Sequence, residues 1–142
     1  MKIANLYIFS HRLYIVGSSK TVAGVWVDND DVHVLANEVD DASLGGEIRS
    51  ALEESRVGIP HSVGPSNAHE WRVLTVANAS HSTFMRAAQA VTIEQEDHVF
   101  TIIPMRNRGA KGGFEPLGPG ATRLEDPVDI VLGATVRKAA PP

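Results

Sequence analysis

At Asp41 the hydrophobic period of this chain changes, and that change limits the folds open to it. Upstream, "KIANLYIF" and "LYIVG" are rich in β-branched and aromatic residues and flank the polar "SHR". This pattern predicts a β-hairpin with a short loop around Ser10 to Arg12. "TVAGVWVD" reads as a third strand, "NDD" as a turn and "VHVLA" as a fourth strand. In that fourth strand Val32, Val34 and Ala36 alternate with His33 and Leu35. Strands in direct succession point to an antiparallel meander. Downstream, Leu44, Ile48, Ala51, Leu52 and Ser55 form one stripe at helical spacing. Asp40 or Asp41 can cap that helix, Arg56 suits its negative end, and Gly58 is placed to end it before Pro60.

The remainder alternates the two patterns. "GIPHSVGPSN" is a loop by composition. "AHEWRVLTVA" and "SHSTFMRAAQA" predict two short helices divided near Asn78, with Ser80 as a cap and Trp71, Leu74, Phe84 and Met85 in the core. "VTIEQ", the turn "EDH" and "VFTIIPM" predict a second hairpin with Val91, Ile93, Val99 and Ile103 inward, and Pro104 marks a strand end or an edge. "DPVDIVLGATVRKA" predicts a closing helix capped by Asp126, with Pro127 in its first turn and Val128, Val131, Leu132 and Thr135 buried. The expected architecture is one α+β domain over residues 1–139, followed by a frayed tail over 140–142. Its mostly antiparallel central sheet has about six to seven strands packed with three to four helices.

Several function classes drop out. There is no cysteine, so disulfides, thiolate metal sites and thiol nucleophiles are excluded. No apolar run approaches the roughly 20 residues that span a bilayer. The apolar start of the chain is broken by Ser10, His11 and Arg12 with no small-residue cleavage site after it, so it reads as a strand and the protein as cytosolic. The net charge of −4 is mild but unevenly placed. Asp28, Asp30, Asp31, Glu38, Asp40, Asp41, Glu47, Glu53 and Glu54 crowd one tract that holds a single cation, Arg49. Such a tract repels nucleic acid and attracts a basic protein, unless it is simply a solvated acidic face.

Catalytic patterns are absent. No histidine pair has H-E-x-x-H spacing, and His61, His69 and His81 read as hydrogen-bonded surface groups sooner than as zinc ligands. "GSSK" at residues 17–20 fits neither G-x-S-x-G nor S-x-x-K and reads as a strand-to-strand turn. The carboxylates sit in a crowded tract with no apolar pocket to raise a general acid's pKa. In "RNRGAKGGFEPLG", Lys111 precedes the glycine pair, Phe114 stands where a hydroxyl is needed, and no helix follows to carry a phosphate. Gly112 and Gly113 can still form a backbone nest, so a small anion- or nucleotide-binding protein or enzyme using Lys111, Gly112 and Gly113 stays open. The structural alternative is a glycine turn with close backbone approach, pinned by Phe114, with Arg106, Arg108 and Lys111 facing solvent or a partner.

Taken in order, Ser19-Lys20 with Gly24, "LGGEIRSALEESRVGIPH" from Leu44 to His61, Phe84, and "KGGF" from Lys111 to Phe114 resemble the CdiI family of contact-dependent growth inhibition immunity proteins. The resemblance spans about residues 18 to 117 and is carried by Lys20, Gly24, Leu44, Gly45, Ser55, Arg56, Gly58, Pro60, His61, Phe84, Lys111, Gly112, Gly113 and Phe114. It implies binding without catalysis, cofactor or metal, in the cytoplasm of the producing bacterium. The implied partner is the toxic C-terminal domain of a cognate CdiA effector, a basic nuclease such as a tRNase, held one to one. Neither nucleic acid nor membrane is touched directly. Under that reading Asp28, Asp30, Asp31, Glu38, Asp40, Asp41, Glu47 and Glu54 are the expected partner-binding residues, complementary to a basic nuclease. Trp26 and Trp71 are aromatic candidates for the same surface or for the core.

Overall fold

A computed structural model describes residues 1–60 and 71–141. Strands β1 (Lys2–Phe9) and β2 (Arg12–Thr21) form the expected hairpin. Ser10 and His11 both adopt left-handed conformations (φ 51° and 63°), which match the twist of the strands they join. "GSSK" is not a turn: β2 runs through it, and the reversal falls on Val22 to Val25, fastened by Thr21 Oγ1 accepting from Val25 N at 3.2 Å. Where two strands are expected there is one, β3 (Trp26–Ala36). Its pairing with β2 passes from Ser18–Asp28 to Val16–Val32, so the turn-forming residues Asn29, Asp30 and Asp31 bulge opposite Gly17 alone. The bulge dips Asn29 inward, where its amide donates to Glu54 O at 3.0 Å and accepts from Ser19 Oγ at 2.7 Å.

The chain continues as α1 (Asp41–Glu53), β4 (Val57–Ile59), α2 (Arg72–Ala77), α3 (His81–Ala87), β5 (Gln89–Glu96) and β6 (Val99–Asn107). It closes with the single turn α4 (Gly109–Gly112), β7 (Phe114–Pro116), β8 (Thr122–Glu125) and α5 (Asp129–Ala139). Among the described residues one sheet holds all eight strands in the order β3-β2-β1-β5-β6-β7, with β8 further along β6 and β4 parallel to the end of β2. The architecture is α+β and mostly antiparallel, as expected. The short strands β4, β7 and β8 and the one-turn α4 bring the totals above those read from sequence. On β6 the inward parity is the opposite of the expected one. Phe100, Ile102 and Pro104 are buried and Val99 and Ile103 only half-buried, because register pairs Ile93 with Ile102 and Val91 with Pro104. Pro104 lies inside β6. Its carbonyl accepts from Leu117 N in the gap between β7 and β8, so the missing N–H interrupts no ladder bond.

Each face of the sheet carries a core. On one, α1 and α5 cover Ala4, Leu6, Leu13, Ile15, Val91 and Ile93 with Leu44, Ile48, Leu52, Leu132 and Val136. Asp40 caps α1 by accepting from Ser43 N at 2.7 Å. The helix ends at Glu53, before Gly58, which instead sits in β4. Ser55 takes over the junction: its buried Oγ accepts from Ile3 N at 3.1 Å and donates to Ser18 O. Ser55→Ala strands that amide and carbonyl, and urea denaturation is expected to read a loss of about 1–2 kcal/mol.

Helix α5 is rotated from the expected face. Leu132, Gly133 and Val136 are buried, whereas Val128 and Val131 are exposed and Thr135 half-buried. The cause is a glycine crossing. A Cβ on Gly133 would overlap the carbonyl of Asp41, and one on Gly45 the carbonyl of Asp129, so α1 and α5 touch backbone to backbone there. Asp126 does not cap the helix either; it takes a left-handed φ of 45° in the preceding turn, and Val128 occupies the cap position. Beyond α5, Ala140 packs beside the first core and the carbonyl of Pro141 accepts from the Gln89 amide.

On the opposite face α2 and α3 enclose Tyr7, Tyr14, Val16, Val73, Phe84, Met85 and Ala90. Asn78 ends α2 in a left-handed conformation and Ser80 caps α3 through Thr83 N, as expected. Tyr7, Phe84 and Trp71 meet edge to face, with ring centroids 5.2 to 5.9 Å apart.

Candidate functional site

The acidic tract folds onto β3 and α1, which lie side by side at one border of the sheet. Because β3 is an edge strand with period two, His33 points to the helix side and pairs in register with Ile15. Glu47 lies on α1 and Glu54 caps its C-terminus two turns later, so both project toward that imidazole. Nδ1 of His33 lies 2.8 Å from Glu47 Oε2 and Nε2 lies 2.7 Å from Glu54 Oε1. Asp31 comes from the bulge and brings its carboxylate within 4.8 Å of Glu54. Asp30 is exposed beside it. The bulge that replaces the expected turn is therefore what brings Asp31 to the helix.

The local electrostatics follow. Burial opposes charging of His33, but hydrogen bonds and charges from Glu54 and Glu47 outweigh it and raise the imidazole above its ordinary value. Glu54 is also raised, first by burial and then by Asp31, against the stabilising effect of His33. Donor atoms of Asp31, His33 and Glu54 lie within 4.8 Å of one another. Both imidazole nitrogens already face carboxylates, so His33 is engaged by an ion pair on each side.

The other expected partner-binding acids lie elsewhere. Asp40 serves as the α1 cap, where the Ser43 backbone N–H holds its carboxyl below the usual range. Asp41 pairs with Arg137 Nε at 3.0 Å, and Arg137 also donates to the carbonyls of Asn37 and Val39. Glu38 is exposed in the connection to α1. Asp28 is half-buried on the opposite face, where it accepts from Asn5 Nδ2 at 2.7 Å, Tyr7 Oη at 2.6 Å and Trp71 Nε1 at 2.9 Å. His33, the centre of the acidic cluster, is absent from the sequence-derived candidates. Its signal was its position on a strand facing two glutamates at helical spacing.

The motif residues divide between turns and packing. Lys20 N donates to Arg56 O at 2.8 Å, joining β2 to β4, and Gly24 lies in the β2–β3 turn. Leu44 and Phe84 are fully buried, while Arg56 and Pro60 are exposed. His61 and His69 lie outside the described residues; His81 is exposed, with its ring 6.5 Å from Trp71. In "KGGF" it is Gly113, not Gly112, that takes positive φ (68°), and Phe114 packs 5.7 Å from Tyr7. The loop turns its donors inward: Gly109 N bonds Asn107 Oδ1, Gly113 N bonds Gly109 O, and Arg108 N bonds Gly113 O. Arg106 and Arg108 pair with Glu115, and Lys111 is exposed. That is a pinned turn, with these three amides withheld from an anion. Trp26 is half-buried at the start of β3.

No family model and no curated protein matches the chain. Solved structures do. A protein of unknown function from Neisseria meningitidis superposes with a TM-score of 0.79 at 17% identity, over 97% of this chain and 92% of that one. A chain of a CdiA-CT/CdiI toxin and immunity complex from Yersinia pseudotuberculosis superposes with a TM-score of 0.75 at 16% identity, over 97% of this chain and 94% of that one. No helix among the described residues is long and apolar enough to cross a membrane. The chain thus has a CdiI-type fold, the one its ordered sequence motifs resemble.

Proposed function

We propose that this protein is an immunity protein that binds and neutralises the toxic C-terminal domain of a contact-dependent growth inhibition effector. The observation that carries the reading is the likeness to the Yersinia toxin and immunity complex along nearly the whole chain. The ordered motifs from Lys20 to Phe114 support it independently. On this reading the protein acts in the cytoplasm of the producing cell, by binding and not by catalysis, as a one-to-one complex. The target is a nuclease, whose grip on a polyanionic substrate requires Lys and Arg. The face formed by Asp30, Asp31, Glu47 and Glu54 is electrostatically complementary to such a domain.

Mixing the purified protein with the C-terminal domain of the effector encoded immediately upstream tests this. Equimolar protein is expected to abolish the domain's nuclease activity, and undiminished activity would reject the proposal. Charge reversal then tests the face. Asp30 and Asp31 are exposed, so Asp30→Lys with Asp31→Lys should leave the fold intact. The double variant is expected to associate about tenfold more slowly at low salt, with the gap closing at high salt. An equal deficit at both salt concentrations, read by stopped-flow mixing, would remove this face from the interface.

A further inference from the structure

We infer that His33 is a proton-operated clasp between edge strand β3 and helix α1, and that its charge sets the strength of the acidic face. The geometry requires a charged form to complete both contacts. A carboxylate only accepts hydrogen bonds, and neutral imidazole has one N–H and one lone pair. Glu47 and Glu54 stand at opposite ring nitrogens, both within hydrogen-bond distance. With both carboxylates ionised, both bonds form only when the ring is imidazolium. Deprotonation leaves one nitrogen lone pair facing a carboxylate.

The groups around the ring leave it no substitute. Helix α1 and its C-cap present Glu47 and Glu54, β3 presents Asp31, and the neighbouring position on β2 is the apolar Ile15. Among the described residues, the ion pairs of Glu47 and Glu54 are to His33 alone. Imidazolium is therefore the counter-charge for three carboxylates, and its loss makes the face one unit more negative while opening the clasp.

Two consequences of opposite sign result. The carboxylates raise His33 above its ordinary value near 6.5 despite burial. The clasp thus stabilises the fold fully below about 6.5 and is lost as pH rises through the folded-state value. Attraction for a cationic partner grows over the same interval. This second consequence rests on the toxin-binding reading, whereas the first belongs to the isolated protein.

The experiment compares wild type with His33→Gln, which keeps a polar side chain but cannot become cationic. Melting temperature is recorded from pH 6 to pH 8.5, and the imidazole of His33 is titrated by NMR. The wild-type melting temperature is expected to fall with rising pH relative to the variant, with the imidazole titrating above its ordinary value. Glu47→Gln or Glu54→Gln should move that titration downward. Parallel melting curves, or an imidazole titrating at or below the ordinary value, overturn the clasp. Association with the effector domain is measured over the same range. It should accelerate with pH in wild type and not in the variant; equal pH dependence in both overturns the link to the face. A domain that does not bind at all rejects the proposed function, while the melting comparison still decides the clasp.

Discussion

Replacing Gly45 or Gly133 with alanine is expected to lower folding stability by about 3 kcal/mol or more, although alanine is the better helix former. Both glycines lie inside helices, where propensity alone favours alanine by about 1 kcal/mol. Packing reverses the sign. The added methyl at Gly45 would overlap the carbonyl oxygen of Asp129, and the one at Gly133 that of Asp41. Neither obstacle is a flexible side-chain end, so α1 and α5 would have to move apart. Separation would weaken the contacts of Leu44, Ile48, Leu132 and Val136, all buried beneath the crossing. It would also strain the grip of Arg49 on Asp129 and the Pro127 carbonyl, and of Arg137 on Asp41. Gly46 supplies the control. A methyl there would meet only Asp129 Oδ2 at 3.7 Å, so Gly46→Ala should be neutral or stabilising by up to about 1 kcal/mol. Urea midpoints for the three variants decide the matter, and equal effects at Gly45 and Gly46 would refute the backbone crossing.

That crossing also explains where sequence reading succeeded and stopped. Helix α1 was legible because its apolar stripe is regular and Asp40 precedes it as a cap. The stripe on α5 misled, because Val128 and Val131 look like core. The buried side of α5 is chosen by what lets two backbones meet, a property of the pair that no single-helix period reports. The "NDD" segment failed for a related reason. Its turn propensity is real, but β2 offers Gly17 opposite it, so the chain bulges and keeps pairing instead of reversing. The parity of β6 depended on its register with β5, which the "EDH" turn alone did not specify. For the site, composition located the acids on one tract but not their division among a cap, an inter-helix ion pair, an internal network and a face. Tertiary neighbours make that division. His33 became visible only once β3 and α1 stood next to each other.

The internal network yields the second large effect. Asp28→Ala is expected to destabilise the protein by about 2–4 kcal/mol, because three donors lose their acceptor at once. The hydroxyl of Tyr7, the amide of Asn5 and the indole N–H of Trp71 all converge on this carboxylate. Asn5 is itself held by Thr92 Oγ1 at 2.7 Å, so the network ties β3, β1, β5 and the start of α2 together. Asp28→Asn keeps one acceptor oxygen but puts an NH2 donor where the second acceptor stood, and should recover about half of the loss. Burial raises the carboxyl of Asp28 above its ordinary range, against the lowering effect of Tyr7, Asn5 and Trp71. A raised folded-state value means the contribution is fully present below the unfolded-state value and declines as pH rises through the folded one. The gap between wild type and Asp28→Ala is accordingly widest at acid pH, and Trp71 fluorescence should report the lost indole bond directly. The same variant separates structure from recognition. With its carboxylate engaged internally on the face opposite His33, Asp28→Ala should leave the association rate of folded protein with the effector domain unchanged. A slower rate with undiminished stability would instead place Asp28 in the interface.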